Sequence, residues 1–237
     1  MNNLNLPPLK IVRISYSILL FLFFLSNTAS AGSLDINEAM QKRQKLAAEQ
    51  NIKIRSADEV AKRALALMVM VSRVHEENPQ DLMAWVERNK VNEYFTEKEK
   101  AVFHQKELMH QEKIEFSWKS EALVSLFWAL NMIDPYPSLK DQVYIFNYKK
   151  VLAIVDDPAK FIAEAKLRSK KEIEAKETEL YQQHWRIRDA HITNKTMPAE
   201  LDPDIVFQRN YGLSWLVGWG ESWEKVPTDT LGELPKG

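Results

Sequence analysis

Apolar residues at helical spacing organise most of the chain. The clearest stretch is residues 114–133, where Ile114, Trp118, Glu121, Ser125, Trp128 and Met132 follow one another at alternating steps of four and three. An adjacent stripe holds Leu123, Leu126, Leu130 and Ile133. The helix predicted over 117–132 is therefore apolar around most of its circumference, which places it at the centre of the fold. Upstream, Leu34 to Gln50 reads as a charged helix, a solvated N-terminal extension. Ser56-Ala57-Asp58-Glu59 and Thr96-Glu97-Lys98-Glu99 are capping boxes, in which the hydroxyl and the glutamate three residues later satisfy each other's amides. The first opens an apolar helix that Asn78-Pro79 stops, and the second opens a helix running toward Ile114. A short helix over 80–88 lies between them. After the rigid turn Asp134-Pro135-Tyr136-Pro137, Val143 to Val155 is apolar and aromatic and fits helix or strand. Asp157-Pro158 starts helical pattern that continues, with a break near Ser169, to about Ile192. Asp202-Pro203-Asp204 begins the last helix, to about Val217, and the chain from Gly218 reads as loop.

Glycine strengthens this reading by its absence. None occurs between Ser33 and Tyr211, so a phosphate-binding glycine loop has no place there and P-loop and dinucleotide folds fail. The fold class expected is all-α: one compact multi-helix domain over 55–230, preceded by residues 32–54 as a charged helical extension and followed by a tail at 231–237. The 237 residues include 7 Trp, 7 Tyr and 10 Phe, ample for a core. The net charge of -1 gives no basic footprint, so nucleic acid is not an expected partner. The chain has no cysteine, which removes disulfides, thiol catalysis and iron–sulfur ligation.

Residues 1–31 differ from the rest. Lys10 and Arg13 precede the unbroken apolar run Ile18 to Leu25, and Ala29-Ser30-Ala31 fits a signal peptidase site. The run is too short to span a bilayer, which needs about 20 apolar residues. Cleavage is expected near Ala31, giving an exported, periplasmic or secreted chain without a stable transmembrane anchor. Losing Lys10 and Arg13 would take its net charge from -1 to -3.

The central helix raises a chemical question. Glu121 sits between Trp118 and Trp128 on a face that should be buried, and a lone buried carboxylate costs several kcal/mol. Arg63, Arg188 and Arg209 lie on comparable apolar stripes, and at least one is expected to pair with Glu121. Asp189 is a further candidate, although Asp beside Arg is also common on exposed helices. His184 shares a stripe with Tyr181 and Arg188 and could act as a base or anion ligand, but a hydrogen-bonded core histidine is the simpler reading. The cluster is expected to fix helix register rather than line a pocket. One Glu-x-x-His step, Glu107 to His110, has no second copy, so no metal and no cofactor are expected. Gly-x-Ser-x-Gly is absent. Trp215, Trp219 and Trp223 read as a cap over the core rather than a ligand platform.

Several segments form an ordered set along the chain: Arg55 to Arg63, Ser117 to Leu123, Leu126 to Leu130, Ala165 to Arg168, His184 to Ala190, Arg209 to Leu216, Trp223, and Thr228-Asp229-Thr230. Their order and spacing over about Arg55 to Thr230 resemble a bacterial family known as domain of unknown function 4272. The resemblance implies a mostly helical single domain and names no activity. It implies recurrent polar positions at Glu121, Arg188, Asp189, Arg209 and Asp229. Gln208 and Ser214 stand where the family pattern leads us to expect Glu and Asn. The function expected is a non-catalytic binding domain with a protein or envelope partner. The alternative is a hydrolase or lyase using Glu121 or His184 as base and Arg188 or Arg209 as anion holder.

Overall fold

The residues that the computed structural model describes, 36–75 and 79–228, form nine α-helices joined by turns and by longer segments over 130–144 and 193–202. They fall in one compact unit starting at residue 35, and no strand occurs among them. The signal segment 1–31, Asn78, Asp229 and the tail 231–237 lie outside the described residues.

Local chemistry accounts for the helix starts. Helix α1 is Ile36–Glu49, and α2 is Ala57–His75. At the head of α2 the Ser56 N–H donates to Glu59 Oε2 at 2.9 Å, while the Glu59 N–H donates to Ser56 Oγ at 3.2 Å. Helix α3 is Gln80–Arg88, and α4 is Glu97–Phe103. Thr96 and Glu99 close the second reciprocal pair, at 2.9 and 3.2 Å. Helix α7 is Pro158–Ala163, with proline at its first turn and Asp157 accepting from the Lys160 N–H. The break near Ser169 is real. It separates α7 from α8, Lys170–Ile192, and Ser169 with Glu172 forms a third capping box. Helix α9, Pro203–Val217, is capped by Asp202, which accepts from the Asp204 and Ile205 N–H groups.

Two expectations change. The helix expected from Thr96 toward Ile114 stops at Phe103, and the central helix α5 starts early, at His110–Ala129. The cause lies in α2. Arg73 donates to the carbonyls of Phe103 at 3.2 Å and of Gln105 at 2.6 Å, taking up the acceptors that end α4. Glu112 then accepts from the Met109 N–H and restarts the helix. The ambiguous segment 143–155 is helical: a turn at Ile145–Asn147, the short α6 at Lys149–Leu152, and a turn at Ala153–Val155.

Helix α5 is the axis of the domain, packed between α2 and α9, with α8 on the far side of α9. Its second half, residues 121–129, is buried on every side. Gly212 sets the α5–α9 approach, because a Cβ there would lie 2.6 Å from the Ala122 carbonyl oxygen. Gly218 ends α9 in the left-handed region, φ 109°.

Helix α1 is not a solvated extension. Most of it is exposed, but Ala39 and Arg43 are buried, and Ile36 and Met40 pack around Tyr181 and Trp185 of α8.

Candidate functional site: buried ion pairs and an aromatic groove

Among the described residues, three buried arginine–glutamate pairs tie the helices together. The first joins α5 to α9. Glu121 and Arg209 are both 0% exposed, and Arg209 Nε and Nη2 each lie 2.9 Å from Glu121 Oε2. The other carboxylate oxygen, Oε1, accepts the Val143 N–H at 2.9 Å. Arg209 Nη1 donates to the carbonyls of Pro137 and Ser138 at 2.9 and 2.7 Å. The pair therefore fastens the 134–143 loop to the core as well as one helix to another. Burial pushes the Glu121 carboxyl up, while the Arg209 guanidinium and the Val143 N–H oppose that shift. Ser125 and Tyr136 close the same region. Ser125 Oγ donates to the Arg209 carbonyl and shares a 2.8 Å hydrogen bond with Tyr136 Oη.

The second pair is Arg63 with Glu99, where Nη2 reaches both carboxylate oxygens at 2.6 Å. Glu99 is also the capping-box acid of α4, so one buried carboxylate serves a helix end and an arginine of α2. The third pair, Arg43 with Glu177 at 2.5 Å, escapes sequence reasoning because both residues sit on charged helices. Arg43 Nη2 also donates to Ser214 Oγ at 3.1 Å, and Ser214 Oγ donates to Glu177 Oε1 at 3.3 Å.

The remaining candidates do not join one network. His184 lies 3.5 Å from Asn210 Nδ2 and edge-on to Phe207. Burial, with Arg188 and then Arg43 nearby, pushes its pKa down to about 4, so it is neutral at pH 7. Asp189 points outward to Lys195 at 3.1 Å. Neither His184 nor Asp189 touches the Glu121–Arg209 pair.

The three C-terminal tryptophans are buried, and each carries an arginine over its ring. Arg43 is 4.2 Å from the Trp219 centroid, Arg55 is 4.6 Å from Trp215, and Arg63 is 5.3 Å from Trp223. Arg55 adds hydrogen bonds to the carbonyls of Trp215 and Gly220 at 3.0 and 2.7 Å. Tyr211 donates through its hydroxyl to the Trp223 carbonyl, and the two rings meet edge to face at 5.1 Å.

Where this layer meets α2 and α4, an open groove of about 670 Å³ crosses the surface. Tyr94, Phe95, Trp215 and Trp223 supply its aromatic wall, and Arg55, Lys62 and Lys98 supply cations along it. Glu59, Glu97, Glu221 and Glu224 contribute matching acids, so the groove is amphipathic and mixed in charge rather than an anion trap. Glu121, His184, Arg188 and Arg209 are not among its lining residues. The aromatic content was legible in the sequence. The convergence of Tyr94 and Phe95 with Trp215 and Trp223 was not, because it depends on how α2 and α9 each pack on α5 and how the turn at Val91–Tyr94 packs on α2.

Among the described residues, no group of three or more histidine, aspartate or glutamate side chains is arranged to hold a metal ion. No described helix is long and apolar enough to cross a membrane. No curated protein and no solved structure matches the chain. A family model does match, over residues 32–226, and its start at residue 32 takes in α1, in keeping with the docking of Arg43. The chain belongs to the family described as Domain of unknown function (DUF4272).

Proposed function

We propose that the protein is an exported helical binding domain that engages a protein partner of the cell envelope through the groove between α2, α4 and the tryptophan layer. The observation that carries this reading is the composition of the groove. Tyr94, Phe95, Trp215 and Trp223 with Arg55 and Arg63 line an open surface channel, and aromatic rings and arginine are the side-chain types that concentrate at protein interfaces. The deep polar residues support it from the other side. Both oxygens of Glu121 and most donors of Arg209 are engaged within the fold, which suits a scaffold pair better than a reacting one. Export rests on the sequence of residues 1–31, with a basic start, a short apolar run and Ala29-Ser30-Ala31.

Photo-crosslinking in living cells tests the partner. A photoreactive residue at Tyr94 or Lys98, in the groove, is expected to trap a defined protein. The same probe at Glu174, exposed on α8, is expected not to. If the groove positions trap nothing, or no more than Glu174 does, the binding reading falls. N-terminal sequencing of the mature protein tests export separately. It should begin at Gly32, and an uncleaved cytoplasmic chain would overturn this part.

A further inference from the structure

Arg43 of α1 is held as a ligand would be. Its guanidinium carbon lies 4.3 Å from the Tyr181 ring centroid and 4.2 Å from that of Trp219. Its Nη2 donates to Glu177 Oε1 and, at 3.1 Å, to Ser214 Oγ. Aromatic faces attract the flat cation and a carboxylate takes its N–H groups, so these are the groups that select a guanidinium. None of the four residues belongs to α1. Glu177 and Tyr181 are one turn apart on α8, Ser214 is on α9, and Trp219 follows the turn at Gly218. They are also braced without α1. Ser214 Oγ donates to Glu177 Oε1 at 3.3 Å, and the Trp219 N–H donates to the Ser214 carbonyl at 2.9 Å. The packing of α8 on α9 therefore builds a cage for arginine, and α1 only fills it.

The helix that fills the cage is lightly seated. Of the 14 residues of α1, only Ala39 and Arg43 are buried. Ala39 packs on Tyr181 and Trp185 in a small apolar cluster, with Ile36 and Met40 at its edge. Trp185 is 5% exposed, and its indole N–H finds no acceptor among the described residues. A buried donor without an acceptor weakens the packing that covers it. A helix this short is marginal in water without tertiary support. Held by little besides Arg43, α1 belongs to the part of the fold that opens most easily.

We propose that the cage of Tyr181, Trp219, Glu177 and Ser214 is a receptor for an arginine of a different protein, and that α1 is a built-in occupant which this partner displaces. The partner's segment is an amphipathic helix with apolar residues three, four and seven places before its arginine, the places of Met40, Ala39 and Ile36 relative to Arg43. A segment that also sets an acceptor against the Trp185 indole makes a hydrogen bond that α1 does not. Displacement bares the aromatic cluster under α1 and passes it to the partner, so capture of the partner and release of α1 are one event. None of the four cage residues lines the groove, and the inference does not depend on what the groove binds.

Calorimetric titration of the full-length chain with a synthetic peptide of residues 36–50 tests this, the peptide standing for the partner's segment. In the wild type the chain's own α1 competes with it. In Arg43→Ala the cage is vacated, and the peptide is expected to bind at least about tenfold tighter than to the wild type. A peptide carrying Arg43→Lys should bind at least about tenfold more weakly than the arginine peptide, because an ammonium lacks the planar fork. Adding Glu177→Gln to the Arg43→Ala chain should weaken binding by a similar factor. Arg43→Gln serves as the receptor if circular dichroism shows Arg43→Ala unfolded. No binding at about 1 mM peptide, binding to the vacated cage no tighter than to the wild type, or equal binding of the arginine and lysine peptides overturns the proposal. Sedimentation separates a different protein from a second copy. The wild type should stay monomeric as its concentration rises. A dimer that Arg43→Ala abolishes would put a second copy's α1 in the cage and overturn the choice of partner.

Discussion

Replacing Glu121 by glutamine keeps the shape of the side chain and removes its charge. The Arg209 guanidinium, 0% exposed, would then be left without a counter-ion in the core. Breaking one partner of a buried pair costs about 3 kcal/mol or more, so Glu121→Gln should lose about that much in urea unfolding. The double variant Glu121→Leu with Arg209→Met should recover a large part of the loss, because two apolar side chains leave no buried charge. The freed carbonyls of Pro137 and Ser138 would limit the recovery. Unchanged stability in Glu121→Gln would mean that the carboxylate is kept for some purpose other than the scaffold. The need for a buried partner was legible, since Glu121 falls between two tryptophans on an apolar stripe. The choice of Arg209 was not, because Arg63 satisfies the same pattern and is committed instead to Glu99.

At the level of elements, helix starts follow rules that span three residues, and helix ends and contacts do not. Ser56, Thr96, Ser169 and Asp202 each cap the helix that follows. The end of α4 is set by Arg73, 30 residues away from Phe103 in sequence. The α5–α9 contact depends on one missing side chain. Gly212→Ala would place a Cβ 2.6 Å from the Ala122 carbonyl oxygen and 3.3 Å from Ser125 Cβ, both on the helix opposite. Backbone cannot give way as a flexible side chain can. We expect a loss of about 1–3 kcal/mol from overpacking, read as a lower urea midpoint, although alanine favours a helix over glycine by about 1 kcal/mol. An unchanged or higher midpoint would show that α5 and α9 slide apart at no cost.

Across the whole molecule, the N-terminal elements are fastened to the C-terminal layer by Arg43, Arg55 and Arg63, each on its own tryptophan. His184 packs against Phe207 and Asn210 of α9, and its burial shapes stability against pH. The pKa of His184 is held at about 4 in the fold, against 6.5 ordinarily, so unfolding below pH 6.5 takes up a proton. Its contribution is complete above about pH 6.5 and is lost as the pH falls toward 4. Asp204 works the other way. Burial and Asp202 raise its pKa to about 6, so its contribution is complete below its unfolded value of 3.8 and is lost as the pH rises through 6. The His184 effect is isolated by comparison with His184→Gln. Unfolding free energies measured at pH 7, 5.5 and 4 should show the wild type losing ground to the variant as the pH falls. Parallel profiles would mean that the imidazole titrates normally in the folded protein.

The sequence by itself determined the helical class, the central place of the helix expected over 117–132, the capped starts at Ser56 and Thr96, and the family. These depend on spacing and on bonds that close within one turn, so local order is enough to specify them. Only the tertiary structure decided that Glu121 meets Arg209 and that Glu99 takes Arg63. It also decided that Arg43 is pulled from a charged helix into the core, and that rings from residues 94, 95, 215 and 223 share one groove. Such pairings depend on the rotation and approach of packed helices. Several arginines satisfy the same stripe pattern, and only close packing selects which one reaches which carboxylate.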